Sequence, residues 1–583
     1  MNDQRAFLDV TQSVLGRRWI GPGASEERQA EALVQATGLP EALCRTLARR
    51  GVAAAEAEAF LAPALRDLLP DPHSLRDAER AAARLIDAVA RGERVAVFGD
   101  YDVDGAASAA LLIDWMRAMG SAATLYIPDR LAEGYGPNAP AMQRLAAAHD
   151  LIVCVDCGTM AHEALAAAEG ADVLVLDHHL GGETLPPAHA VVNPNRQDEL
   201  GGLSHLCAAG VVFLVLVEAG RQLRGAGRAG PDLMRMLDLV ALATVADVAP
   251  LIGVNRALVR QGLAVMAQRV RPGLRALADA ARLTSAPSAH HLGFVLGPRV
   301  NAGGRIGQSD LGARLLSATA QGEAEAIAAR LEELNVERRE IEAQVRAEAM
   351  AQAEARGLDG PLVWAAGEGW HPGVVGIVAS RLKEATNRPA LAISLDARTG
   401  TGSGRSVAGV DLGAAVQRLA AEGLLIKGGG HPMAAGLSVA RDKLEPAMAR
   451  LADLLARQGA GAAGPADLRL DGLLMPGAVT PELISRLEAA GPFGADAPAP
   501  RFAFADMAIN ATRRIGDTHL RLSFGDGHGP RLDAVAFGAF DGPLGPLIEG
   551  HGGMRLHLAG RLEINDWGGR QRVQLRLEDA ARA

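Results

Sequence analysis

Aspartates and histidines close several short apolar runs of this sequence. Residues 95–105 read VAVFGDYDVDG, 151–158 read LIVCVDCG, 173–179 read VLVLDHH and 240–251 read VALATVADVAPL. If these runs, β-like in composition, lie in one parallel sheet, the residues that end them meet at one edge, where such sheets bind ligands. Crowded carboxylates repel one another unless cations neutralise them. The residues concerned are Asp100, Asp102, Asp104, Asp156, Asp177, His178, His179 and Asp247.

This combination of side chains indicates metal chemistry. Clustered carboxylates with imidazole are what a two-cation, phosphodiester-cleaving centre requires. Such mixed ligands suit Mn²⁺ and, less strictly, Mg²⁺. A calcium loop would need glutamate at the twelfth position from Asp100, but that residue is Leu111. A lone aspartate at a strand end is more often a helix cap, so four such sites, one with a histidine pair, favour the metal centre.

Cysteine usage does not indicate a zinc or redox site. Cys154 and Cys157 form a C-x-x-C around Asp156, but no second pair completes a zinc site. The other two cysteines, Cys44 and Cys207, give no disulfide framework. We therefore expect the C-x-x-C pair to be structural.

Length and composition indicate a multidomain globular protein. The chain has 583 residues, of which 49% are hydrophobic and 22% charged, so several domains are expected. No apolar run is long enough to span a bilayer and no signal peptide is evident at the start. We therefore expect a cytoplasmic protein without a membrane partner. The net charge of −9 argues against an overall basic protein but leaves local nucleic-acid-binding patches possible.

The pattern of elements predicts an α/β multidomain fold. Residues 1–70 form an N-terminal extension of short helices, and strands alternate with helices over 71–320, as in a parallel α/β domain. Within that domain a helix over 232–246 is predicted to deliver Asp247. Residues 321–356 are rich in Glu, Arg and Ala and predict one long connector helix.

Two further regions follow the connector. Residues 357–458 combine strand-like runs with a helix opened by HPGVVGIVASRL, which predicts a smaller α/β domain. The stretch GAGAAGP at 459–465 is a flexible linker. From 466 to 583 short alternating strands without long helices predict a small β-barrel.

Six motifs in order resemble those of the DHH phosphoesterase superfamily, and in particular its bacterial single-strand-specific DNA exonucleases. They are GDYDVDG, VDCG, DHH, ATVADVAPL, GPRVNAGGRIG and GGGHPMAAG. The resemblance covers nearly the whole chain. It implies that 71–320 is a DHH catalytic domain, 357–458 a DHHA1 domain and 466–583 an oligonucleotide-binding (OB) fold.

The resemblance also implies an activity and a cofactor. The activity is metal-dependent hydrolysis of single-stranded DNA from 5′ to 3′, to mononucleotides, in DNA repair and recombination. Two ions of Mn²⁺ or Mg²⁺ would be held by Asp100, Asp102, Asp104, Asp156, His178 and Asp247. Asp156 is the natural bridge, although the ion bound by each of the first three aspartates is left open. His179 would contact the scissile phosphate, and Asp177 would orient the histidines. Hydrolysis without a covalent enzyme intermediate follows from two-ion chemistry.

Glycine-rich turns and arginines are the candidate phosphate contacts. Glycine-rich turns let backbone N–H groups approach phosphate, and we interpret 297–307 and 427–436 in this way, the latter just before a helix. By the resemblance, the 5′-terminal phosphate is assigned to Arg130, Arg305, Ser403 and Arg405. Gly429, Gly430 and His431 of GGGHPMAAG are further candidate DNA or phosphate contacts. Candidate DNA contacts in the barrel are Arg513, Arg514, Arg521, Arg570 and Trp567. Alternatively, many of these arginines pair with neighbouring acids.

Other functions remain open at this point. One is a DHH phosphodiesterase acting on short oligonucleotides or cyclic dinucleotides, another a pyrophosphatase relative, and a third a non-catalytic DHH scaffold. The predicted barrel disfavours the phosphodiesterase of short oligonucleotides. The GGGHPMAAG signature disfavours the pyrophosphatase relative, and the complete set of candidate metal ligands disfavours the non-catalytic scaffold. Expected partners are single-stranded DNA and, from the family, single-strand-binding protein and a helicase, with the protein itself a monomer.

Overall fold

The computed structural model describes residues 5–130, 133–461, 467–567 and 570–583, except for the side chains of 566–571. The chain forms two compact units. One comprises the residues up to Ala62, Val345–Gly491 and Pro498–Ala583, and the other Pro63–Gln344 and Pro492–Ala497. Among the described helices, none has both the length and the hydropathy that crossing a membrane requires.

The N-terminal segment contains one short strand and four helices. These are β1 (Trp19–Ile20), α1 (Ala24–Thr37), α2 (Glu41–Arg49), α3 (Ala57–Leu61) and α4 (Leu65–Leu68). Helix α1 packs against α2. Helix α1 ends at Gly38, whose φ of 66° is a left-handed conformation that glycine adopts readily.

A five-stranded parallel sheet carries the acidic motifs. Its strands are β2 (Val95–Gly99), β3 (Ala123–Tyr126), β4 (Leu151–Val155), β5 (Asp172–Leu176) and β6 (Ala190–Val192). They lie in the order β3-β2-β4-β5-β6, and every pair is parallel. The chain thus reverses its winding direction between β2 and β4, and doubly wound sheets bind ligands at such a switch point.

Helices cover both faces of this sheet, which explains its continuous apolar strands. Phe98, Ile152 and Val175 pack towards α7 and α8, whereas Val97 and Val153 pack towards α6 and α9. The helices from Ala78 to Arg356, of which only some lie on the sheet, are α5 (Ala78–Arg91), α6 (Val103–Ala118), α7 (Ala139–Ala148), α8 (His162–Ala166), α9 (Ala208–Gly225), α10 (Leu237–Ala246), α11 (Gly253–Ala267), α12 (Pro272–Ala280), α13 (Ala289–His291), α14 (Gly297–Ile306), α15 (Leu311–Ser317) and α16 (Gln321–Arg356).

The glycine-rich segment 297–307 is helical, whereas we predicted a turn. Its residues form helix α14, preceded by a π-helical turn at Leu292–Leu296. A β-carbon on Gly304 would lie 2.8 Å from the carbonyl oxygen of Tyr101. Glycine is therefore used here for close packing rather than for turning the chain. The predicted helix before Asp247 and the predicted long connector are both observed, as α10 and α16.

The second α/β region contains a mixed five-stranded sheet in the order β10-β11-β9-β8-β7, in which only β7 and β8 pair in parallel. Its elements are β7 (Val363–Glu368), α17 (Pro372–Thr386), β8 (Ala390–Leu395), β9 (Thr399–Arg405), α18 (Leu412–Ala421), β10 (Lys427–His431), β11 (Ala434–Ala440) and α19 (Leu444–Arg457). The motif KGGGHPMAAG forms the β10–β11 hairpin, so our prediction of a turn before a helix was wrong. The segment after the turn pairs with β9 along its whole length and is thereby held as a strand.

The C-terminal region is the predicted barrel. Its elements are β12 (Leu468–Arg469), β13 (Gly472–Leu473), α20 (Pro481–Glu488), β14 (Phe502–Ile515), β15 (His519–Gly525), β16 (Leu532–Ala536), α21 (Leu544–Glu549), β17 (Arg555–Trp567) and β18 (Arg570–Arg582). Strands β14-β15-β16-β18-β17 close on themselves because β17 also pairs with β14. The predicted fold class, with an OB-type barrel after two α/β regions, is confirmed. The predicted linker at 459–465 lies mostly outside the described residues.

The N-terminal segment is attached to this barrel. Strand β1 pairs in parallel with β12. The fully buried Trp19 donates its indole N–H to Asp579 of β18 at 3.1 Å. The extension therefore packs in the same unit as the barrel and satisfies a buried carboxylate there.

Candidate metal and phosphoester site

Three aspartates follow neighbouring strands at one edge of the parallel sheet. Asp100 follows β2, Asp156 follows β4 and Asp177 follows β5. Asp156 has a φ of 60°, a left-handed conformation that turns the chain sharply at the end of its strand. The structure thus brings the strand-end residues together at the switch point.

The N-terminus of α6 fixes two further carboxylates. Asp102 caps the helix, and its Oδ1 accepts the N–H groups of Asp104 at 2.8 Å and Gly105 at 3.1 Å. Asp104 accepts the N–H groups of Ala208 at 2.6 Å and Ala209 at 2.8 Å, at the start of α9. A β-carbon on Gly105 would lie 2.4 Å from the carbonyl oxygen of Asp100. Glycine is therefore required where the loop folds over the helix start.

His178 links the carboxylates. Its Nε2 lies 3.3 Å from Oδ1 of Asp156, and 3.8 Å from Oδ2 of both Asp104 and Asp247. Asp247 stands at the C-terminal end of α10. One imidazole nitrogen therefore faces three carboxylates that come from separate parts of the chain.

The candidate ligand atoms form three overlapping groups, each within 4.8 Å. Asp156 and His178 each belong to two of them. The groups are Asp100, Asp102 and Asp156; Asp104, His178 and Asp247; and Asp156, His178 and His179. This arrangement fits two neighbouring cations with Asp156 between them.

The electrostatics of the site also fit cations. Burial, reinforced by Asp102, raises the pKa of Asp100 well above its ordinary value, and burial with Asp104 and Asp102 does the same for the pKa of Asp156. Burial, Asp104 and Asp102 raise the pKa of Asp247 to about 8. Within the described residues, Oδ1 of both Asp100 and Asp156 is buried without a hydrogen-bond partner. Such oxygens are the ligands that hard divalent cations take.

A hydrogen bond to Asp177 orients His179 and favours its protonated form. Its Nδ1 lies 2.7 Å from Oδ1 of Asp177, which also accepts the N–H of His178 at 2.8 Å. Burial alone would lower the pKa of His179, but Asp177 and the other carboxylates raise it to about 9. Although burial opposes it, hydrogen bonds from His179 and Thr159 hold the pKa of Asp177 below its ordinary value.

Two asparagines that our sequence reasoning missed support the histidines. Asn193 donates its amide to Thr159 Oγ1 and to the carbonyl of His179, both at 2.8 Å. Asn195 donates to the carbonyl of His178 at 2.5 Å. Asn193 directly follows β6, so the strand-end rule that identified the aspartates could have found it.

Tyr135 was also missed. Its hydroxyl lies 3.0 Å from Nε2 of His179 and donates to the carbonyl of Asp156 at 3.2 Å. Its ring meets His179 edge-on, with 5.8 Å between centroids. The flanking glycines of GYG mark a loop in the sequence, but nothing there indicates this long-range contact.

Arg130 and Arg305 lie near Tyr101, beside the acidic cluster. The Arg130 guanidinium lies 5.0 Å from the centroid of the Tyr101 ring. Burial and Asp100 raise the pKa of Tyr101 to about 12, while the positive charges of Arg130 and Arg305 oppose the rise. The Asn301 side chain accepts the N–H of Val103 at 3.1 Å, which ties the arginine-bearing helix α14 to α6.

Five predicted phosphate contacts lie in the mixed sheet, and all except Gly430 share one face. The four are Ser403, Arg405, Gly429 and His431. Strand register places Gly429 in a row with Ser403, and His431 in a row with Arg405. Arg405 Nη1 donates to Ser403 Oγ at 3.1 Å. A β-carbon on Gly429 would meet no heavy atom within 4 Å, so the backbone is open on this face. Gly430 is one residue out of phase and belongs to the other face.

The barrel arginines differ in their partners. Arg514 pairs with Glu549, its Nε donating at 2.8 Å, and Arg521 pairs with Asp533 at 2.9 Å. Arg513 is exposed and has no ion-pair or ring partner within the described part of the chain. The side chains of Trp567 and Arg570 lie outside the described residues.

An exposed aromatic in the barrel was missed. Phe537 is 54% exposed, and the Arg576 guanidinium lies 5.2 Å from its ring centroid. His519 packs edge-on against the same ring. An exposed ring beside a cation suits stacking with nucleic-acid bases.

The two cysteines of the C-x-x-C pair lie in the protein core. Cys154 and Cys157 are both buried and free, and burial raises the pKa of each thiol. Neither cysteine belongs to a possible metal group among the described residues.

A doubly wound parallel sheet with an Asp-His-His cluster at its switch point, followed by a mixed sheet, places the chain in the DHH class of proteins. Three family models match the chain: the DHH family N-terminal domain over residues 94–244, the DHHA1 domain over 359–457 and the RecJ OB domain over 470–579. The chain belongs to the RecJ family.

Curated relatives and solved structures agree. The single-stranded-DNA-specific exonuclease RecJ of Escherichia coli is 38% identical over 563 residues, covering 93% of this chain and 96% of the relative. The protein of the same name from Bacillus subtilis is 32% identical and covers 95% of this chain and 70% of the relative. The Thermus thermophilus RecJ crystal structure in complex with Mn²⁺ matches with a TM-score of 0.80 at 30% identity, covering 97% of this chain and 79% of that one. The resemblance inferred from the six motifs is confirmed.

Proposed function

We propose that this protein is a metal-dependent exonuclease that degrades single-stranded DNA from 5′ to 3′, releasing mononucleotides. The observation that carries the proposal is the set of overlapping ligand groups that share Asp156 and His178. The relatives named single-stranded-DNA-specific exonucleases, which match nearly the whole chain, support the substrate.

Two ions of Mn²⁺ or Mg²⁺ fit the residues present. Asp100, Asp102 and Asp156 would hold one, and Asp104, His178 and Asp247 the other, with Asp156 shared. The buried Oδ1 atoms of Asp100 and Asp156, which lack hydrogen bonds among the described residues, support this assignment. RecJ structures with Mn²⁺ and with Mg²⁺ are among the structural matches. When bound, such ions supply electrophilic activation of water and of the phosphodiester.

The protein's own groups would orient and stabilise the reacting phosphate. His179, cationic and fixed by Asp177, is placed to donate a hydrogen bond to a phosphoryl oxygen as its negative charge grows. Burial raises the pKa values of the nearby thiols of Cys154 and Cys157, which disfavours a thiolate nucleophile. The proposed reaction is therefore direct hydrolysis by water.

The direction of degradation would come from contacts with the 5′-terminal phosphate. Arg130 and Arg305, near Tyr101, are the proposed contacts beside the acidic cluster. Ser403, Arg405 and His431, with the open backbone at Gly429, are the proposed contacts on one face of the mixed sheet. Gly430, also a proposed contact, belongs to the other face. In the barrel, Arg513, Arg514, Arg521, Arg570 and Trp567 remain candidate DNA contacts.

A digestion assay tests the activity. End-labelled single- and double-stranded DNA, with labels at either end, would be incubated with Mn²⁺, Mg²⁺ or a chelator. We expect metal-dependent release of mononucleotides from the 5′ end of single strands only. Asp156→Ala should abolish the activity, while Asp359→Ala, a change at an exposed aspartate, should leave it intact. Degradation in excess chelator, or by Asp156→Ala, would contradict the proposal.

The phosphate contacts have their own test. Arg305→Ala and Arg405→Ala should slow cleavage of 5′-phosphorylated strands more than that of 5′-hydroxyl strands. Equal rates for wild type and variants on phosphorylated strands would exclude these contacts.

We further propose that the protein acts as a monomer in the cytoplasm in DNA repair and recombination, alongside single-strand-binding protein and a helicase. The support is chemical, since unwinding exposes the single strands that such an enzyme consumes. Light scattering would measure the mass in solution, and binding to purified single-strand-binding protein would test the partner.

A further inference from the structure

An aromatic pair stands exposed on the unit that carries the acidic cluster. Phe294 is 73% exposed, and its ring stacks on that of His290 with 4.8 Å between centroids and 27° between planes. Only 3% of the chain is aromatic, so few rings are available to contact bases. Phe294 lies on a π-helical turn, a feature frequent at functional sites, and His290 lies in the short helix α13 that precedes it.

The turn that carries Phe294 is anchored firmly. Leu292 and Leu296, on either side of it, are buried in the core. Arg299 donates to the carbonyl of Val295 at 2.7 Å and forms a two-pronged ion pair with Glu332 of α16. The exposed ring is therefore presented by a rigid base rather than by a mobile loop.

One end of this segment touches the helix that delivers a candidate metal ligand. A β-carbon on Gly293 would lie 3.4 Å from the Val245 side chain, and one on Gly297 would lie 3.2 Å from Cβ of Ala246. Val245 and Ala246 are the last residues of α10, immediately before Asp247. The π-helical turn therefore packs against the end of α10, next to Asp247.

The other end of the segment touches the opposite side of the cluster. Asn301 accepts the N–H of Val103, and Gly304 packs against Tyr101, so this end adjoins the loop of Asp100 and Asp102. Phe294 and Arg305 are separated by eleven residues, or about 16 Å of helix. The segment thus borders the acidic cluster, with an aromatic pair at one end and Arg305 at the other.

We infer that Phe294 and His290 form a stacking platform for a base of the single strand on the 3′ side of the cleaved phosphodiester. The inference rests on the proposed function, in which Arg305 contacts the 5′-terminal phosphate. A strand that starts at Arg305 and passes the metal ligands next reaches the aromatic pair. Stacking tolerates any base, as a nuclease that advances along a strand requires. Phe294 is accordingly a positioning residue.

The experiment measures cleavage of the first nucleotide from short 5′-phosphorylated oligonucleotides by wild type, Phe294→Ala and Phe294→Trp. We expect Phe294→Ala to raise KM about fivefold or more, the contribution of one stacked base, with little change in kcat. Phe294→Trp should restore the wild-type KM. Val270→Ala, which truncates a residue that is 69% exposed, is the matched control and should change neither constant.

Abasic nucleotides locate the stacked base. One abasic position, placed successively along the strand 3′ to the first bond, should raise the wild-type KM at a single site and erase the difference between wild type and Phe294→Ala there. A wild-type KM for Phe294→Ala, or a defect that persists at every abasic position, would overturn the platform. If the wild type itself fails to degrade single strands, the proposed function fails instead.

Discussion

Two acidic clusters in the same unit differ in whether an arginine pairs with their carboxylates. Asp114 and Asp238 flank Arg271, whose Nη1 lies 2.6 Å from the first and whose Nε lies 2.8 Å from the second. Asp100 and Asp156 are as buried as Asp238 and more buried than Asp114, yet neither forms an ion pair with an arginine or lysine among the described residues. The pairing with Arg271 shows that the first cluster is structural. The second cluster has no such partner among the described residues and is suited to bind metal cations.

The difference has energetic consequences. Buried carboxylates matched by a guanidinium hold a fold together, and removing the guanidinium leaves uncompensated charge. Burial and, after it, repulsion between neighbouring carboxylates raise the pKa values of Asp100 and Asp156, which have no cationic partner to offset either effect. Removing one of them should relieve repulsion but destroy the site. Substitutions in the two clusters should therefore separate stability from activity.

The largest effect is expected for Asp156→Asn. Loss of the shared ligand should lower the nuclease rate more than about a hundredfold, because each metal contributes several kcal/mol of transition-state stabilisation. The metal-free variant should unfold at or above the wild-type temperature, since one repelling charge is gone. Activity assays with thermal unfolding in chelator check this, and a variant that is active, or that unfolds well below the wild type, would contradict it.

Arg271→Ala should show the reverse pattern. Two carboxylates would lose their cation, which costs about 3–5 kcal/mol of unfolding free energy for a buried pair. Denaturant unfolding measures the loss. Activity per folded molecule should stay near that of the wild type, because Arg271 contacts none of the candidate ligands. Unchanged stability would show that the comparison between the clusters is wrong.

Asp177→Asn should have an intermediate effect. The carboxylate that orients His179 and accepts three backbone N–H groups would be neutralised. Changes to residues that support a metal site typically cost about 10–100-fold. We expect kcat to fall in this range while the protein still binds Mn²⁺. A wild-type kcat would show that Asp177 plays no part in positioning His179.

The smallest effect is expected in the barrel. Arg513 is unpaired within the described residues, whereas Arg521 is paired with Asp533. Arg513→Ala should weaken single-strand binding a few-fold and reduce the slope of log affinity against log salt by about one. Arg521→Ala is the matched variant and should change the slope less. DNA-binding titrations at several salt concentrations measure the affinity and the slope for each variant. Equal slopes for the two variants would show that Arg513 contacts DNA no more than Arg521 does.

The sequence reveals most of the catalytic cluster because strand ends obey a simple rule. Asp100, Asp156 and Asp177 each follow an apolar run, and parallel strands bring such residues to one edge. Asn193 also follows a strand directly, but its side chain is uncharged, so a search for clustered charges does not find it. Tyr135 reaches His179 and the Asp156 carbonyl from a loop, a contact that depends on tertiary structure alone.

Glycine-rich segments show where sequence reasoning fails. Gly304 allows α14 to pack against Tyr101, and the 428–430 glycines lie in a hairpin. Glycine is used for tight turns, close packing and open strands alike, so composition alone does not choose among them. Similarly, Arg513 and Arg521 look equivalent in sequence, and only the fold shows which one already has an acidic partner.

Counting bound Mn²⁺ ions tests the central claim most directly. Electron paramagnetic resonance of free Mn²⁺ during a titration gives the number of ions held per chain. The two-cation arrangement requires saturable binding of two ions by the wild type and loss of that binding in Asp156→Asn. No saturable binding, or the same two ions retained by Asp156→Asn, would contradict a site assembled around that carboxylate.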